Sequence, residues 1–373
     1  MNENRWLNDI WSKLEVKMSA QCDRVGDRIP YIPVDGVYQE DKAETDMYWW
    51  TNGFWPGMLW HMYHATKEAK YKEAAEGVER KLDAALQGFE GLHHDVGFMW
   101  LHSSVANYRL TGNEASRSRG LHAASLLAGR YNPDGRYIRA WNDAFISWMI
   151  IDCMMNIPLL YWASRETKDP RFAAIARIHA DSTLKHAIRA DGSSNHIVEL
   201  NPNTGEFVAA PGGQGYETGS SWSRGQAWAL YGFALSYRHT GDQSYLNAAK
   251  QIAHYFIANV SLTNFVPLVD FRAPSEPRYW DSTAGTCAAC GLLELAESVP
   301  ELEKPLYREA AVHILQAIDK RFCNWNEAQD SIVAGGTAAY HSRNGDFGVP
   351  IIYGDYFLIE AIMRLRNQHE LLW

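Results

Sequence analysis

Apolar residues recur every three to four positions along most of this chain, and the runs are of two kinds. Six are apolar on most sides: Gly53–Ala65, Gly97–Leu110, Ser147–Ser164, Gly225–Tyr237, Thr283–Glu297 and Tyr356–Arg366. Helices of that character are buried. Six others set a charged face beside an apolar one: Glu3–Ser19, Tyr71–Leu86, Ala115–Ala128, Pro170–Ile188, Gln243–Ile257 and Pro305–Phe322. That pattern marks helices exposed on one side. The two kinds alternate. Between them a phrase recurs, with a threonine, a glycine or lysine, polar residues, an aromatic and then alanine, at Thr66/Tyr71/Ala74, Thr167/Phe172/Ala174 and Thr240/Tyr245/Ala248. A looser copy sits at Glu303/Tyr307/Ala310 and a degenerate one at Thr111-Gly112-Asn113. The glycine or a polar residue there can close one helix, and the polar stretch can open the next. Six helical hairpins joined in this way predict an all-α fold, an (α/α)6 barrel or toroid. No change of composition divides the chain, so one domain over residues 1–373 is expected. Ser194–Glu199 and Val266–Phe271 read as short strand-like pieces of loop hairpins.

Composition narrows the partners. The chain has 35 Lys+Arg against 44 Asp+Glu, a net charge of −9. Nucleic acids and anionic membranes call for a basic surface, so neither is an expected partner. The longest apolar run, Ile146 to Ala163, is interrupted by Asp152, Asn156 and Pro158 and does not read as a membrane span. The first residues, Met1-Asn2-Glu3-Asn4-Arg5-Trp6, lack the apolar core of a secretory signal. Five cysteines cannot all pair, which fits reduced thiols and a cytoplasmic location. Aromatic residues are numerous, with 15 Trp and 19 Tyr. Tryptophan serves a core, and its flat apolar face also stacks on sugar rings.

In an alternating ring, every connection from an outer to an inner helix lies on the same rim. The segments entering the inner helices therefore converge on one mouth. They are Trp49–Trp55, His93–Phe98, Arg139–Trp141 followed by Asp152, then His196, Gln214, Ser221–Trp228, Trp280–Ser282 and Tyr353–Tyr356. Asp152 stands among Trp148, Met149, Ile150, Ile151, Cys153, Met154 and Met155, on what reads as the third inner helix. Burial there favours the neutral acid, and a nearby helix N-terminus favours the anion. A carboxyl group poised between the two suits general acid–base catalysis. Read alone, the same aspartate is better taken as one that caps a loop or pairs with an arginine; the clustering turns the reading towards chemistry. Asp95 is the second carboxyl candidate, its alternative being the cap of the helix starting near Gly97. Arg224, between Trp222 and Trp228, offers a planar fork to a carboxylate, or else stacks in an aromatic core. His93-His94-Asp95 suggests a metal, but adjacent side chains point apart, so no metal and no cofactor are expected. Cys287-Ala288-Ala289-Cys290 lies in a small-residue helix and reads as close packing. Gly212-Gly213-Gln214-Gly215 follows no strand and reads as a loop.

Taken together, Trp50-Thr51-Asn52-Gly53-Phe54-Trp55, His93-His94-Asp95-Val96-Gly97-Phe98, the run Ile150–Leu160, Trp222-Ser223-Arg224-Gly225-Gln226-Ala227-Trp228 and Tyr353-Gly354-Asp355-Tyr356 resemble the unsaturated glucuronyl hydrolases of glycoside hydrolase family 88. The unsaturated rhamnogalacturonyl hydrolases of family 105 are their relatives. The resemblance runs from about Trp50 to Tyr356 and implies an (α/α)6 barrel. It also implies a reaction: hydration of the C4=C5 vinyl ether of the unsaturated uronate that polysaccharide lyases leave at a non-reducing end. By the same resemblance the catalytic residues are Asp152 and Asp95. The substrate would be held by Trp50, Phe54, His94, Trp141, His196, Gln214, Trp222, Arg224, Trp228 and Tyr356. Arg224 and His196 are expected near the uronate carboxylate. Asn52 departs from a family pattern in which Asp is frequent. The loop Tyr340–Asp346 lacks the serine-and-lysine arrangement that some relatives use for sulfated sugars, so little preference for sulfate is expected. An unsaturated rhamnogalacturonyl hydrolase of the same mechanism is an alternative, because subsite loops decide between the two substrates, and two readings of other classes remain open at this point. One is a sugar epimerase using His94 and His196 as paired bases. The other is a carbohydrate-binding protein without catalysis, which has no need of an aspartate in apolar surroundings.

Overall fold

The computed structural model describes residues 3–142 and 145–373. Among these, the outer helical segments are Glu3–Val25, Ala69–Gly88, Glu114–Ala128, Pro170–His186, Gln243–Ser261 and Lys304–Phe322. The inner ones are Phe54–Thr66, the run Val96–Trp100 with Leu101–Val105 and Ala106–Thr111, then Pro158–Thr167, Ser223–Thr240, Ser282–Ser298 and Ile352–Leu365. No helix of the described residues is long and apolar enough to cross a membrane.

The recurring threonine phrase is a hairpin hinge. Thr66, Thr111, Thr167 and Thr240 each turn Oγ1 back onto the carbonyl four residues earlier, at 2.7–2.8 Å. In three of them the same oxygen then accepts the N–H two residues ahead, from Glu68, Asp169 or Asp242. The residue after each threonine is left-handed, at φ 63° in Lys67, 75° in Gly112, 61° in Lys168 and 71° in Gly241. Asn113, Asp169 and Asp242 then cap the next helix with a side-chain oxygen. One threonine thus ends a helix and steers the chain into the next.

Helix Ile352–Leu365 lies against Ser282–Ser298 on one side and Phe54–Thr66 on the other, which closes the inner ring. Each outer helix packs on the inner one beside it, Ala69–Gly88 on Phe54–Thr66 and Lys304–Phe322 on Ser282–Ser298 for example. Among the described residues the ring has no open bore. Phe54, Phe98, Trp228 and Phe357 fill its centre with ring centroids 5.2–5.8 Å apart. The indole of Trp373 lies parallel to Phe357 and donates to Glu360 at 2.9 Å. Fully buried rings of this size contribute about 1.5–3 kcal/mol each.

The third inner helix differs from the sequence expectation. Ser147–Ser164 is not one helix: Trp148–Ile150 is a strand, Ile151–Met155 a 3-10 turn, and the α-helix begins at Pro158. Proline has no N–H to give and suits the first helical position, so the helix starts there. The β-branched and aromatic residues before it pair instead. In chain order the strands are β1 (Tyr131–Asn132), β2 (Tyr137–Ile138), β3 (Trp148–Ile150), β4 (Ile197–Leu200) and β5 (Phe207–Ala209). β1 and β2 form a small ribbon, and β3-β4-β5 an antiparallel sheet in that order. Trp148 faces Glu199 and Ile150 faces Ile197. Part of the Ser194–Glu199 piece is therefore a sheet strand, while Val266–Phe271 contributes only isolated bridges, at Leu268 and Asp270.

Candidate active site

Two glycines set the floor of the site. The turn Trp50–Gly53 lies so close to the start of the next inner helix that a Cβ on Gly53 would come within 2.1 Å of the Phe98 carbonyl. A Cβ on Gly97 would come within 2.4 Å of Asn156 Cα. The first contact seats Trp50 over Phe98, at 5.3 Å between centroids. Asn52 gives both of its amide hydrogens to backbone carbonyls, Asp46 at 3.1 Å and Met47 at 3.0 Å. A carboxylate could not donate either bond, so the departure at this position has a local structural use.

The sheet register brings Asp152 to His196. Ile150 pairs with Ile197, and Ile151 N–H donates to the His196 carbonyl at 3.0 Å. His196 Nδ1 accepts the Gln214 backbone N–H at 2.9 Å. Its hydrogen is therefore on Nε2, which stands 3.5 Å from Asp152 Oδ1. Asp152 is not in the interior of an α-helix, as the sequence suggested, but on the 3-10 turn at the end of β3. That turn leaves its side chain 17% exposed, facing a cavity.

Asp95 does not cap its helix with its side chain. Asn156 Oδ1 takes the Phe98 N–H at 2.8 Å instead, and Asn156 Nδ2 donates to Asp95 Oδ1 at 2.9 Å. Burial, and then the charge of Asp152, push the Asp95 carboxyl well above the usual carboxylate range. Burial pulls His94 well below its ordinary value, and His93 down to about 4. Both imidazoles are neutral near pH 7. Although adjacent in sequence, His93, His94 and Asp95 hold potential metal-ligating atoms within 4.8 Å of one another. The expectation that these side chains point apart is corrected, because the chain bends sharply before the helix. The separations from Asp95 Oδ2, 3.3 Å to His93 Nδ1 and 3.4 Å to His94 Nε2, also suit a neutral acid beside two neutral rings.

A cavity of about 250 Å³ opens above these groups, lined by Trp49, Trp50, His93, His94, Asp95, Trp141, Asp152, Gln214, Trp222 and Arg224. A neighbouring hollow of about 320 Å³, behind His93 and Arg130, contains neither aspartate nor any tryptophan. The smaller cavity is where carboxyl groups and tryptophan faces meet. Its shape and mixed lining suit a polar ring with apolar faces, that is, a sugar.

Several expected residues sit elsewhere. Phe54, Trp228 and Tyr356 are fully buried and do not line the cavity. Phe54 and Trp228 pack beneath Trp50, at 5.8 and 6.4 Å, and Tyr356 stacks on His102 at 4.4 Å deeper in the ring. Their helices enter at the mouth, but these side chains point down into the core. His196 stands behind Asp152 and under Trp222, at 4.5 Å from that ring. Arg224 lines the cavity but does not present its whole fork. Nη1 donates to Asp281 at 2.8 Å and the Thr337 carbonyl at 2.9 Å, and Nη2 to the Ala338 carbonyl at 2.6 Å. Nε alone is without a partner. Trp49 and His93 lie in the entering segments but were not among the expected substrate-binding residues, although each adjoins one that was. Their signal was adjacency in a tight turn, where neighbouring side chains can share one concavity.

Comparison with known proteins places this geometry in context. The model of Glycosyl Hydrolase Family 88 matches residues 31–244. The unsaturated glucuronyl hydrolase of Bacillus sp. (strain GL1) is 35% identical over 97% of each chain. An unsaturated chondroitin disaccharide hydrolase of Streptococcus pneumoniae is 34% identical over 87% of this chain and 83% of that one. The solved structure of unsaturated glucuronyl hydrolase from Bacillus sp. GL1 superposes with a TM-score of 0.88 at 34% identity, covering 95% of each chain.

Proposed function

This chain belongs to glycoside hydrolase family 88, and from that premise we propose that its cavity removes the 4,5-unsaturated uronic acid from the non-reducing end of lyase-generated oligosaccharides. It is a glycoside hydrolase on an (α/α)6 toroid. The chemistry begins once Asp152 has taken up a proton, which it gives to C4 of the vinyl ether. Positive charge then develops at C5 and the ring oxygen. The Asp152 carboxylate takes a proton from water as the water oxygen bonds to C5. The hemiketal so formed opens by breaking its C5–O bond, and C1 becomes a hemiacetal that expels the remaining sugar. The acid is regenerated and the balance is the addition of one water.

One observation carries this reading. The Asp152 side chain is partly exposed on the wall of a cavity bordered by tryptophans, while its buried Oδ1 has the His196 Nε2 at 3.5 Å and no hydrogen-bond partner. A carboxyl group held on one side and open to the cavity on the other can pass a proton in either direction. Asp95, held neutral, is suited to donate its hydrogen to a substrate oxygen. Trp50, Trp141 and Trp222 supply faces for sugar rings, and Arg224 and Gln214 on the same wall supply polar contacts. His94 faces Asp95 and His196 faces Asp152, so each histidine is coupled to a carboxyl group rather than paired with the other as a C–H base.

The test is a panel of unsaturated disaccharides from hyaluronan, chondroitin, heparin, gellan, ulvan and rhamnogalacturonan, followed by the ultraviolet absorbance of the conjugated uronate. Loss of absorbance with release of a saturated sugar is expected for glucuronyl members. Turnover of rhamnogalacturonan fragments alone would move the assignment to that substrate class. Tight binding without turnover across the panel would refute catalysis.

A further inference from the structure

Asn156 is uncharged and fully buried, yet it joins the two segments that carry the aspartates. Its Oδ1 accepts the Phe98 N–H at 2.8 Å. A backbone amide only donates, so this bond fixes which way the side-chain amide faces. Nδ2 then has two hydrogens to place. One goes to Asp95 Oδ1 at 2.9 Å and the other to the Asp152 backbone carbonyl at 3.1 Å. The close approach of Gly97 to the Asn156 backbone leaves this residue no room to shift.

We propose that Asn156 is a positioning residue that decides which oxygen of Asp95 carries the proton while setting the spacing between Asp95 and the Asp152 turn. The inference rests on the reading that these two aspartates perform the reaction. An oxygen that accepts an N–H is the poorer place for a proton. The hydrogen of a neutral Asp95 therefore resides on Oδ2, on the side away from Asn156. The groups facing Asp95 are His93 and His94 from its own loop, Asp152 from the neighbouring turn, and Arg130 from beyond helix Glu114–Ala128. Of these contacts, the Asn156 amide alone is a short hydrogen bond to the carboxyl group, made to Oδ1.

Asn156→Asp tests the proposal, because it keeps the volume and the acceptor for Phe98 N–H while removing the amide donors. The variant should melt close to the wild type. Its kcat should fall about 10- to 100-fold with KM changed less than about threefold. Part of the loss should be recovered as the pH is lowered, when the introduced carboxyl gains a proton and can donate again. Asn156→Ser, smaller and uncharged, should lose activity without that acid-side recovery. An independent readout is the ¹³C-carboxyl titration of Asp95, assigned by its disappearance in Asp95→Asn. Its midpoint should move to higher pH in Asn156→Asp. Wild-type pH profiles and an unmoved Asp95 midpoint in both variants would overturn the proposal, as would failure of both to fold, which assigns Asn156 to the fold alone. If the wild type consumes no unsaturated disaccharide but the Asp95 midpoint still moves, the functional reading fails and the positioning role stands.

Discussion

Nε2 of His196 stands 3.5 Å from Oδ1 of Asp152, and the opposite ring nitrogen of His196 is held by the Gln214 backbone N–H. That second bond fixes the tautomer, so the imidazole presents a hydrogen to the carboxyl group. Exchanging His196 for Gln replaces the rigid ring by a flexible chain and removes the ring nitrogen that receives Gln214. We expect a drop in kcat of about 10- to 100-fold with a smaller rise in KM, measured by steady-state kinetics on an unsaturated disaccharide. Unchanged kcat would show that Asp152 acts without this neighbour.

Asp152→Asn should lower turnover by at least about 100-fold. The side chain is partly exposed and Oδ1 bonds to nothing, so the melting temperature should stay near the wild-type value. Kinetics and a thermal melt on the same preparation separate the two effects. Near-wild-type turnover would remove Asp152 from the reaction.

Asp95 gives a prediction of opposite sign for stability. Its folded-state pKa is raised, chiefly by burial, so across the window above pH ~4 the unfolded chain releases this proton while the folded chain keeps it. Stability linked to this group is fully present below the unfolded value and is lost as the pH rises through the folded value. Asp95→Asn should therefore melt about 1–3 °C above the wild type near pH 7. The gain should vanish near pH 4. Activity should fall despite the gain. A variant less stable at both pH values would contradict the assignment of a neutral buried acid.

Arg224→Lys keeps a positive charge beside Asp281 but cannot also reach the Thr337 and Ala338 carbonyls, and Gln214 Nε2 shares the second of these at 2.7 Å. A loss of about 1–3 kcal/mol in folding stability is expected. KM should rise more than kcat falls, since the residues anchored by Arg224 border the cavity. Denaturant titration and kinetics check the two parts separately.

The loop Tyr340–Asp346 bears on sulfate. Unsulfated disaccharides should be turned over at least as well as their 6-sulfated counterparts, compared by kcat/KM. A clear preference for the sulfated sugar would show that another basic group serves in place of the missing arrangement.

The helical ring was legible in the sequence because it rests on local rules. Threonine hinges, polar caps and the alternation of amphipathic with wholly apolar runs all act within a few residues. The third inner element was misread because its outcome depends on a distant partner. Trp148, Met149 and Ile150 look helical beside their neighbours, and only pairing with Ile197, Val198 and Glu199 makes them a strand. The site was legible as a set of entering segments, but not in depth. Phe54, Trp228 and Tyr356 belong to the right segments, yet a helix turns about 100° per residue, so adjacent positions face the mouth or the core according to a rotation that no local pattern fixes. Asn156 was hidden for a related reason: its partners lie at residues 95 and 98, on another hairpin.

The seam between Ile352–Leu365 and Phe54–Thr66 joins segments far apart in the sequence. Contacts of such long sequence separation delay folding, because the intervening chain must be gathered before they form. A ribosome emitting this chain therefore releases Phe54–Thr66 long before the last wall arrives. Until then Phe54–Met62 has only part of its apolar cover, and a nascent chain stalled after Ser298 would be a natural client for chaperones.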